Sequence, residues 1–379
     1  MQNFQQELEK IMEDMQPPNI LVIGRTGAGK SSLINSVFGK KLAQTGTGLP
    51  VSSAFIRYPD STKEKSPVVV YDSAGYEMGK EDKFKQDVFK FLDDTKQSEI
   101  HEQIHLVWYV VHAGLKRFEH FDAEIIAHLK EVKAPTIIVL SQADLARENE
   151  MSKIEETIEN YQTSHKFGHI DIIRIASDPI KDKPFGVEKL VDKSVSLLPE
   201  LYSEAFVARQ IASLGAKKKT ALNYIKVAAG AAFASGYIPI PATTAAAIVT
   251  SQTTLLAKIS FLYGYSEWND IINEVGQFTV ASVLTSVTTT LLDVFSMMFL
   301  PGTFITGTLS GGAAATYIVI IGLTYRSVFD KLSQEELSGK GKTEIKEFIK
   351  KTFEKEFKKY SSDINIKSKK DLDSLDKFH

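Results

Sequence analysis

The stretch GRTGAGKS, Gly24 to Ser31, directly follows the apolar run NILVI and fits the spacing G-x-x-x-x-G-K-[ST]. No other feature of the chain constrains its fold as tightly, because the motif works in one local arrangement: a strand feeding a glycine-rich turn that opens a helix. Glycines let the backbone curl around phosphate oxygens, and the free N–H groups at the helix start point at the anion. The spacing puts Gly24, Arg25, Thr26, Gly27, Ala28, Gly29, Lys30, Ser31 and Ser32 around a nucleotide's phosphates. Lys30 then reaches the β- and γ-phosphates and the Ser31 hydroxyl binds Mg²⁺. The competing explanation is a glycine-rich turn that matches by chance.

The surrounding pattern supports the motif. Apolar strand signals at 20–23, 54–58, 68–71, 104–111, 136–140 and 172–175 alternate with helical spacing at 31–38, 82–94, 122–131, 152–162 and 187–198. Such alternation predicts an α/β domain, a mostly parallel sheet with helices on both faces. Before it, Phe4, Leu8, Ile11, Met12 and Met15 recur at helical spacing until Pro17 and Pro18. After about residue 200 strand signals stop, so an all-α C-terminal domain is expected. The expected division is an amphipathic helix over 1–18, a nucleotide-binding domain over 19–199, a helical domain over 200–360 and a solvated polar tail over 361–379.

Two further elements sit at strand ends. VVVYDSAG ends a strand on Asp72, three residues before Gly75. A carboxylate there holds the metal through water, and the Gly75 N–H senses the γ-phosphate. Between loop and second strand, AQTGTGLPVSSAFIRY offers a hydroxyl for the metal, Ser52 first and Ser53 second, or simply strand-entry serines.

TIIVLSQAD resembles the [NT]-K-x-D element of GTPases, whose aspartate accepts two hydrogen bonds from guanine. The resemblance assigns Asp144 to the base and the stem of Gln142 to its face. Gln142 departs from the usual Lys, and Ser141 from the usual Asn or Thr; the alternative for Asp144 is a helix N-cap. IIRIASD resembles the strand-end element that packs on guanine and adds Ala176 and Ser177, in reversed order. Where Ras-like GTPases carry a glutamine that positions water, this chain has Tyr76, and where others carry a potassium-binding Asn it has Gly27. Slow intrinsic hydrolysis is therefore expected, with no catalytic residue assigned. Arg25, Arg57 and Arg117 are candidates for a supplied group or are ordinary surface arginines.

Together, GRTGAGKSSLINSVFG, TGTGLPVSS, YDSAGYE, VWYVVHAGLKRFEHFDAEI and LSQAD resemble an Era/TrmE-like GTPase of the translation-factor-related class. The likeness covers roughly residues 19–198 and implies GTP/GDP and Mg²⁺ as ligands. The C-terminal half is similar, more loosely, to an Ala-rich helical domain fused to such GTPases and described as membrane-associated. The layout also resembles immunity-related GTPases.

Residues 227–257 and 294–325 carry no charge, and prolines interrupt both in YIPIPATT and FLPGTF. Each reads as two apolar helices joined by a break, long enough to span a bilayer, which needs about 20 residues, yet rich in Thr, Ser, Gly and Ala. Embedded hairpins, a membrane-binding surface and a buried soluble core are all compatible. Lys217–Lys219 suits anionic headgroups or a solvated helix face. Zero cysteines exclude disulfides and thiolate metal sites and fit a reducing compartment, and a net charge of −2 gives no sign of a nucleic-acid partner. The N-terminus lacks the basic start and apolar stretch of a signal peptide. The expectation is a cytoplasmic, membrane-associated GTP-binding switch with a membrane or protein partner for its helical domain. The alternative is a dynamin-like or immunity-related mechanoenzyme that forms homodimers through its nucleotide-binding domains.

Overall fold

The computed structural model describes residues 2–39, 49–50, 55–59, 66–76, 79–115, 117–164, 168–179, 183–235, 241–265, 311–334 and 341–378. The chain divides into two compact units, Met15–Ser213 and a second made of Met1–Asp14 with Leu214–His379. Elements are numbered among the described residues.

The first unit is built on a seven-stranded sheet in the order β2-β3-β4-β1-β5-β6-β7. Its strands are β1 (Asn19–Gly24), β2 (Leu49–Pro50), β3 (Phe55–Tyr58), β4 (Val69–Ser73), β5 (Leu106–His112), β6 (Thr136–Ser141) and β7 (Ile172–Arg174). β4, β1, β5, β6 and β7 run parallel, while β3 pairs antiparallel with β4 and β2 with β3. The parallel strands are near-continuous apolar runs because both faces are covered. Leu21, Ile23, Val107, Tyr109, Ile138 and Leu140 face one side, with apolar residues of α3 (Glu81–Gln97), α4 (His120–Glu131) and α5 (Glu148–Ser164). On the other side Trp108 stacks on Phe38 of α2 (Lys30–Phe38), and its indole N–H donates to Ser194 of α6 (Val187–Leu197).

The expected boundary near Pro199 moves to Ser213. Helix α7 (Glu200–Arg209) belongs to the α/β unit because Phe206 packs edge-on against Phe38 and Trp108. Beyond α7, the Ile211 N–H donates to the Val37 carbonyl at 2.8 Å.

The second unit is helical. It contains α1 (Gln2–Asp14), α8 (Leu214–Ser235), α9 (Pro241–Tyr263), α10 (Gly311–Gln334), α11 (Lys342–Asp363) and α12 (Lys369–Asp373). α1 is not a separate element: Phe4 and Leu8 are buried, and Thr254 of α9 donates to Glu7. α8 and α9 flank residues 236–240, where YIPIP was expected to break the first apolar run. The second run's first half, with FLPGTF, lies outside the described residues.

Two sequence expectations fail here. The tail over 361–379 is docked, not solvated. Ile364, Ile366, Leu372 and Leu375 are buried, the Ile366 N–H donates to Thr316 Oγ1 at 2.8 Å, and Arg326 donates to the Phe378 carbonyl at 2.7 Å. Apolar residues spaced among lysines hid that role. The Lys217–Lys219 triplet is not a free basic face either. Lys217 is buried and its ammonium donates to the Leu262 carbonyl at the end of α9 at 2.7 Å, while Lys218 pairs with Asp330. A long aliphatic stem lets a lysine serve as a buried cap.

Among the described residues, α10 alone is long and apolar enough to cross a membrane, with a mean hydropathy of 1.3 in its best window. That window is 89% buried inside the protein. Asp330 on the same helix accepts a bond from the Tyr263 hydroxyl and pairs with Arg326 and Lys218.

Candidate functional site

The site forms where β1, β4, β5 and β6 reach their C-terminal ends, the edge at which α/β sheets bind ligands. Register aligns Val22 with Asp72 and His112 with Ser141, so the motif residues emerge together. Gly24 must be glycine because a Cβ there would lie 2.3 Å from the Val110 carbonyl oxygen. Gly27 and Gly29 hold φ of 77° and 83°, the left-handed region that lets the loop curl. α2 then opens at Lys30.

The Lys30 ammonium lies across the loop, donating to the Gly24 and Arg25 carbonyls at 3.1 and 2.9 Å. Burial lowers its pKa, opposed by the charge of Asp72. Ser31 Oγ donates to Asp72 Oδ2 at 2.9 Å. Burial raises the Asp72 pKa against the pull of Lys30 and the Ser31 bond. Asp72 Oδ1 is buried with no hydrogen-bond partner among the described residues. An orphaned carboxylate oxygen beside a serine hydroxyl at a phosphate loop suits Mg²⁺, which takes few protein oxygens and keeps waters and phosphate oxygens as its other ligands. Ser52 and Ser53 lie outside the described residues.

Gly75, at φ 82°, lies against the phosphate loop: a Cβ would sit 2.7 Å from the Thr26 nitrogen. Tyr76 is buried, and its hydroxyl accepts from Arg25 Nε at 2.7 Å and donates to Asp122 Oδ1 at 2.9 Å. Arg25 also pairs with Glu119, so it is not an ordinary surface arginine. Arg57 donates to the Pro59 carbonyl, and Arg117 is exposed.

The end of β6 is tied to the same loop. Ser141 Oγ donates to the Ala28 carbonyl at 2.6 Å and to the Val111 carbonyl at 3.2 Å. Gln142, at φ 50°, reaches the Gly27 carbonyl through its amide at 3.4 Å. Its side chain thus lies over the loop, where the usual lysine stem is expected. Asp144 falls within the 3-10 turn Ala143–Leu145, four residues before α5, so it caps no helix. It is half-buried and makes no hydrogen bond among the described residues. The neighbouring strand end brings Ala176 and Ser177: the Ala143 N–H donates to the Ile175 carbonyl, and Ala176 bridges to Phe185. Ser32 is exposed on the first turn of α2.

Sequence reasoning missed Asp122 and Tyr109, whose hydroxyl donates to the same Asp122 oxygen at 2.7 Å. A signal was present: a tyrosine inside the buried run LVWYVV needs a partner for its hydroxyl.

Residues 19–142 match the model of the family described as 50S ribosome-binding GTPases. The chain is 30% identical over 181 residues to the GTPase Era of Thermoanaerobacter sp. strain X514, covering 48% of this chain and 54% of that protein. It is 28% identical over 181 residues to the GTPase Era of Caldanaerobacter subterraneus subsp. tengcongensis, covering 48% and 55%. Among solved structures it is similar to a probable GTP-binding protein engB, at 23% identity and a TM-score of 0.33, covering 47% of this chain and 97% of that one. The chain spans about half the length of the curated relatives it matches. Over residues 19–142 the α/β unit is thus similar to Era-type GTPase domains.

Proposed function

We propose that this protein is a GTP-controlled switch with slow, Mg²⁺-dependent hydrolysis, whose nucleotide state governs what its helical unit binds. The observation that carries the reading is the convergence of Lys30, Ser31, Asp72 and Gly75 on one sheet edge, with the Asp144 carboxylate, unbonded among the described residues, in the turn after β6. Lys30 exchanges its two loop carbonyls for phosphate oxygens. Ser31 and Asp72 hold Mg²⁺, which neutralises phosphate charge when bound. Asp144 accepts the N1 and N2 donors of guanine, a pair adenine lacks, and Gln142, Ala176 and Ser177 line the base.

Tyr76 supports the slow rate. Its hydroxyl is committed on both sides, to Arg25 and Asp122, so it is not available to orient the attacking water. A partner or a second copy then supplies the missing group. For the helical unit, the burial of α10 favours a protein partner or a cytoplasmic membrane surface over an embedded span of that helix.

The test is binding of fluorescent GDP with ATP and GTP as competitors, in wild type and Lys30→Ala, followed by hydrolysis over a range of protein concentrations. Competition by GTP but not ATP, lost in a Lys30→Ala protein that still melts cooperatively, supports the reading. Equal competition by ATP overturns the guanine assignment. Specific activity that rises with concentration overturns the simple switch in favour of the self-associating alternative. Release of the protein from membranes by salt or carbonate, against retention, decides between surface and embedded attachment.

A further inference from the structure

The nucleotide motifs leave one buried polar cluster without a role. Asp122, on α4, lies outside all of them, yet it is buried and takes three hydrogen bonds. Oδ1 accepts from the Tyr76 and Tyr109 hydroxyls at 2.9 and 2.7 Å, and Oδ2 accepts from the Glu119 N–H at 2.8 Å. Three donors occupy the carboxylate and fix it on a helix seated against the sheet.

Tyr76 directly follows Gly75, and its phenol carries the tie onward to the phosphate loop through Arg25 Nε at 2.7 Å. The Arg25 guanidinium also lies over the Tyr76 ring, 5.1 Å from its centroid. Among the described residues the only backbone bond between turn and loop is the longer one from the Thr26 N–H to the Tyr76 carbonyl, at 3.3 Å. The close approach of Gly75 to Thr26 therefore depends largely on side chains.

We propose that Asp122 and Tyr76 are positioning residues for the triphosphate: they hold the Gly75 turn on the phosphate loop and so set the preference for GTP over GDP. The inference rests on the nucleotide site proposed above. Of the groups assigned there, the loop N–H groups, Lys30, Ser31 and the base residues meet phosphates or base that GDP also has. The Gly75 N–H alone meets only the γ-phosphate. A ligand shifts a conformational preference only through a difference in contacts, so fixing this turn stabilises the GTP complex and leaves the GDP complex nearly unchanged.

A purely structural role for the cluster makes a different forecast, since loosening the core weakens both nucleotides together. The experiment is titration of wild type, Tyr76→Phe, Asp122→Asn, the double variant and Lys85→Ala with fluorescent GDP and with a non-hydrolysable GTP analogue, in Mg²⁺, alongside thermal melts. Tyr76→Phe removes one hydroxyl from a packed ring and keeps the test valid if Asp122→Asn does not fold. Lys85→Ala, on α3, breaks the 3.0 Å ion pair of Lys85 with Glu124 of α4 without touching the cluster.

Tyr76→Phe and Asp122→Asn are each expected to lose about tenfold in affinity for the analogue and less than about twofold for GDP, as for a hydrogen bond to a charged group. The double variant is expected to be no worse than Asp122→Asn, and Lys85→Ala to match wild type. Equal losses for both nucleotides, or none, overturn the proposal. Wild-type protein that binds no guanine nucleotide overturns the functional reading itself. Normal wild-type binding with an unchanged preference in the variants overturns the positioning role alone.

Discussion

Ser31 Oγ donates to Asp72 Oδ2 at 2.9 Å, joining two motifs 41 residues apart in the chain. The helix that begins at Lys30 and the strand that ends at Ser73 are thus locked together by the two groups assigned to the metal. Adding Mg²⁺ is expected to raise the GDP affinity of wild type. In Ser31→Ala and Asp72→Ala that increment is expected to shrink by roughly 10–100-fold, the usual cost of losing a group that orients a metal's ligands. GDP titrations with and without Mg²⁺ measure it; an undiminished increment in Asp72→Ala removes Asp72 from the metal site.

The strand–loop–helix at Gly24 was legible because each part has its own local signature: an apolar run, glycines at a required spacing, then helical periodicity. The positions of Asp72, next to last in β4, and of Asp144, three residues past the end of β6, follow from the apolar runs before them. Asp122 was not, because its partners Tyr76 and Tyr109 are remote in sequence and a helical aspartate looks like any exposed one. Helix α7 falls where an all-α domain is expected from the sequence, but nothing local says which core its Tyr202 and Phe206 join. Lys217 misled because composition reports charge and not where a long stem carries it.

Asp144 sits half-buried in the turn after β6 with no hydrogen bond among the described residues. Its carboxylate offers acceptors only, which suits the N1–H and N2–H₂ of guanine. Asp144→Asn replaces one acceptor by a donor and is expected to exchange GTP for xanthosine triphosphate, whose base carries an oxygen at that position. A loss of about tenfold or more in GTP affinity is expected, with a gain for the xanthine nucleotide. Competition titration reads both; an unchanged GTP preference removes Asp144 from the base site.

His105, just before β5, provides a pH test of folding. Its Nδ1 accepts from the Asn19 N–H at 2.9 Å, which places the proton on Nε2, 3.0 Å from the Ile100 carbonyl. Burial lowers its pKa below 6.5, against the bond to Ile100. The folded state therefore favours the neutral ring, and the unfolded chain takes up the proton first as pH falls. Stability from this residue is fully present above about pH 6.5 and is lost as pH drops from there through the lower folded value. His105→Asn keeps an acceptor for Asn19 without the titration. It is expected to be less stable than wild type above neutrality, by about 1 kcal/mol, with the gap narrowing in acid. Urea unfolding across this range checks the sign; a gap that widens toward acid contradicts it.

Two glycines of the helical unit separate docking of the C-terminal segment from generic helix effects. A Cβ on Gly312 of α10 would lie 2.5 Å from the Ile366 carbonyl oxygen, a backbone atom that cannot swing away. The same residue's N–H is held by Thr316, so the methyl pushes against the point where the segment is fastened. Gly312→Ala is expected to destabilise by about 1–3 kcal/mol, the range for overpacking. It is also expected to speed tryptic cleavage at Lys367, Lys369 and Lys370. A Cβ on Gly230 of α8 meets only the Leu372 side chain, at 4.0 Å. Gly230→Ala is therefore expected to gain up to about 1 kcal/mol from helix propensity and to leave cleavage unchanged. If Gly312→Ala cuts no faster than wild type, the carbonyl of Ile366 does not rest on α10, and the tail is held by its other contacts, among them Arg326 with Phe378 and Lys226 with Asp376.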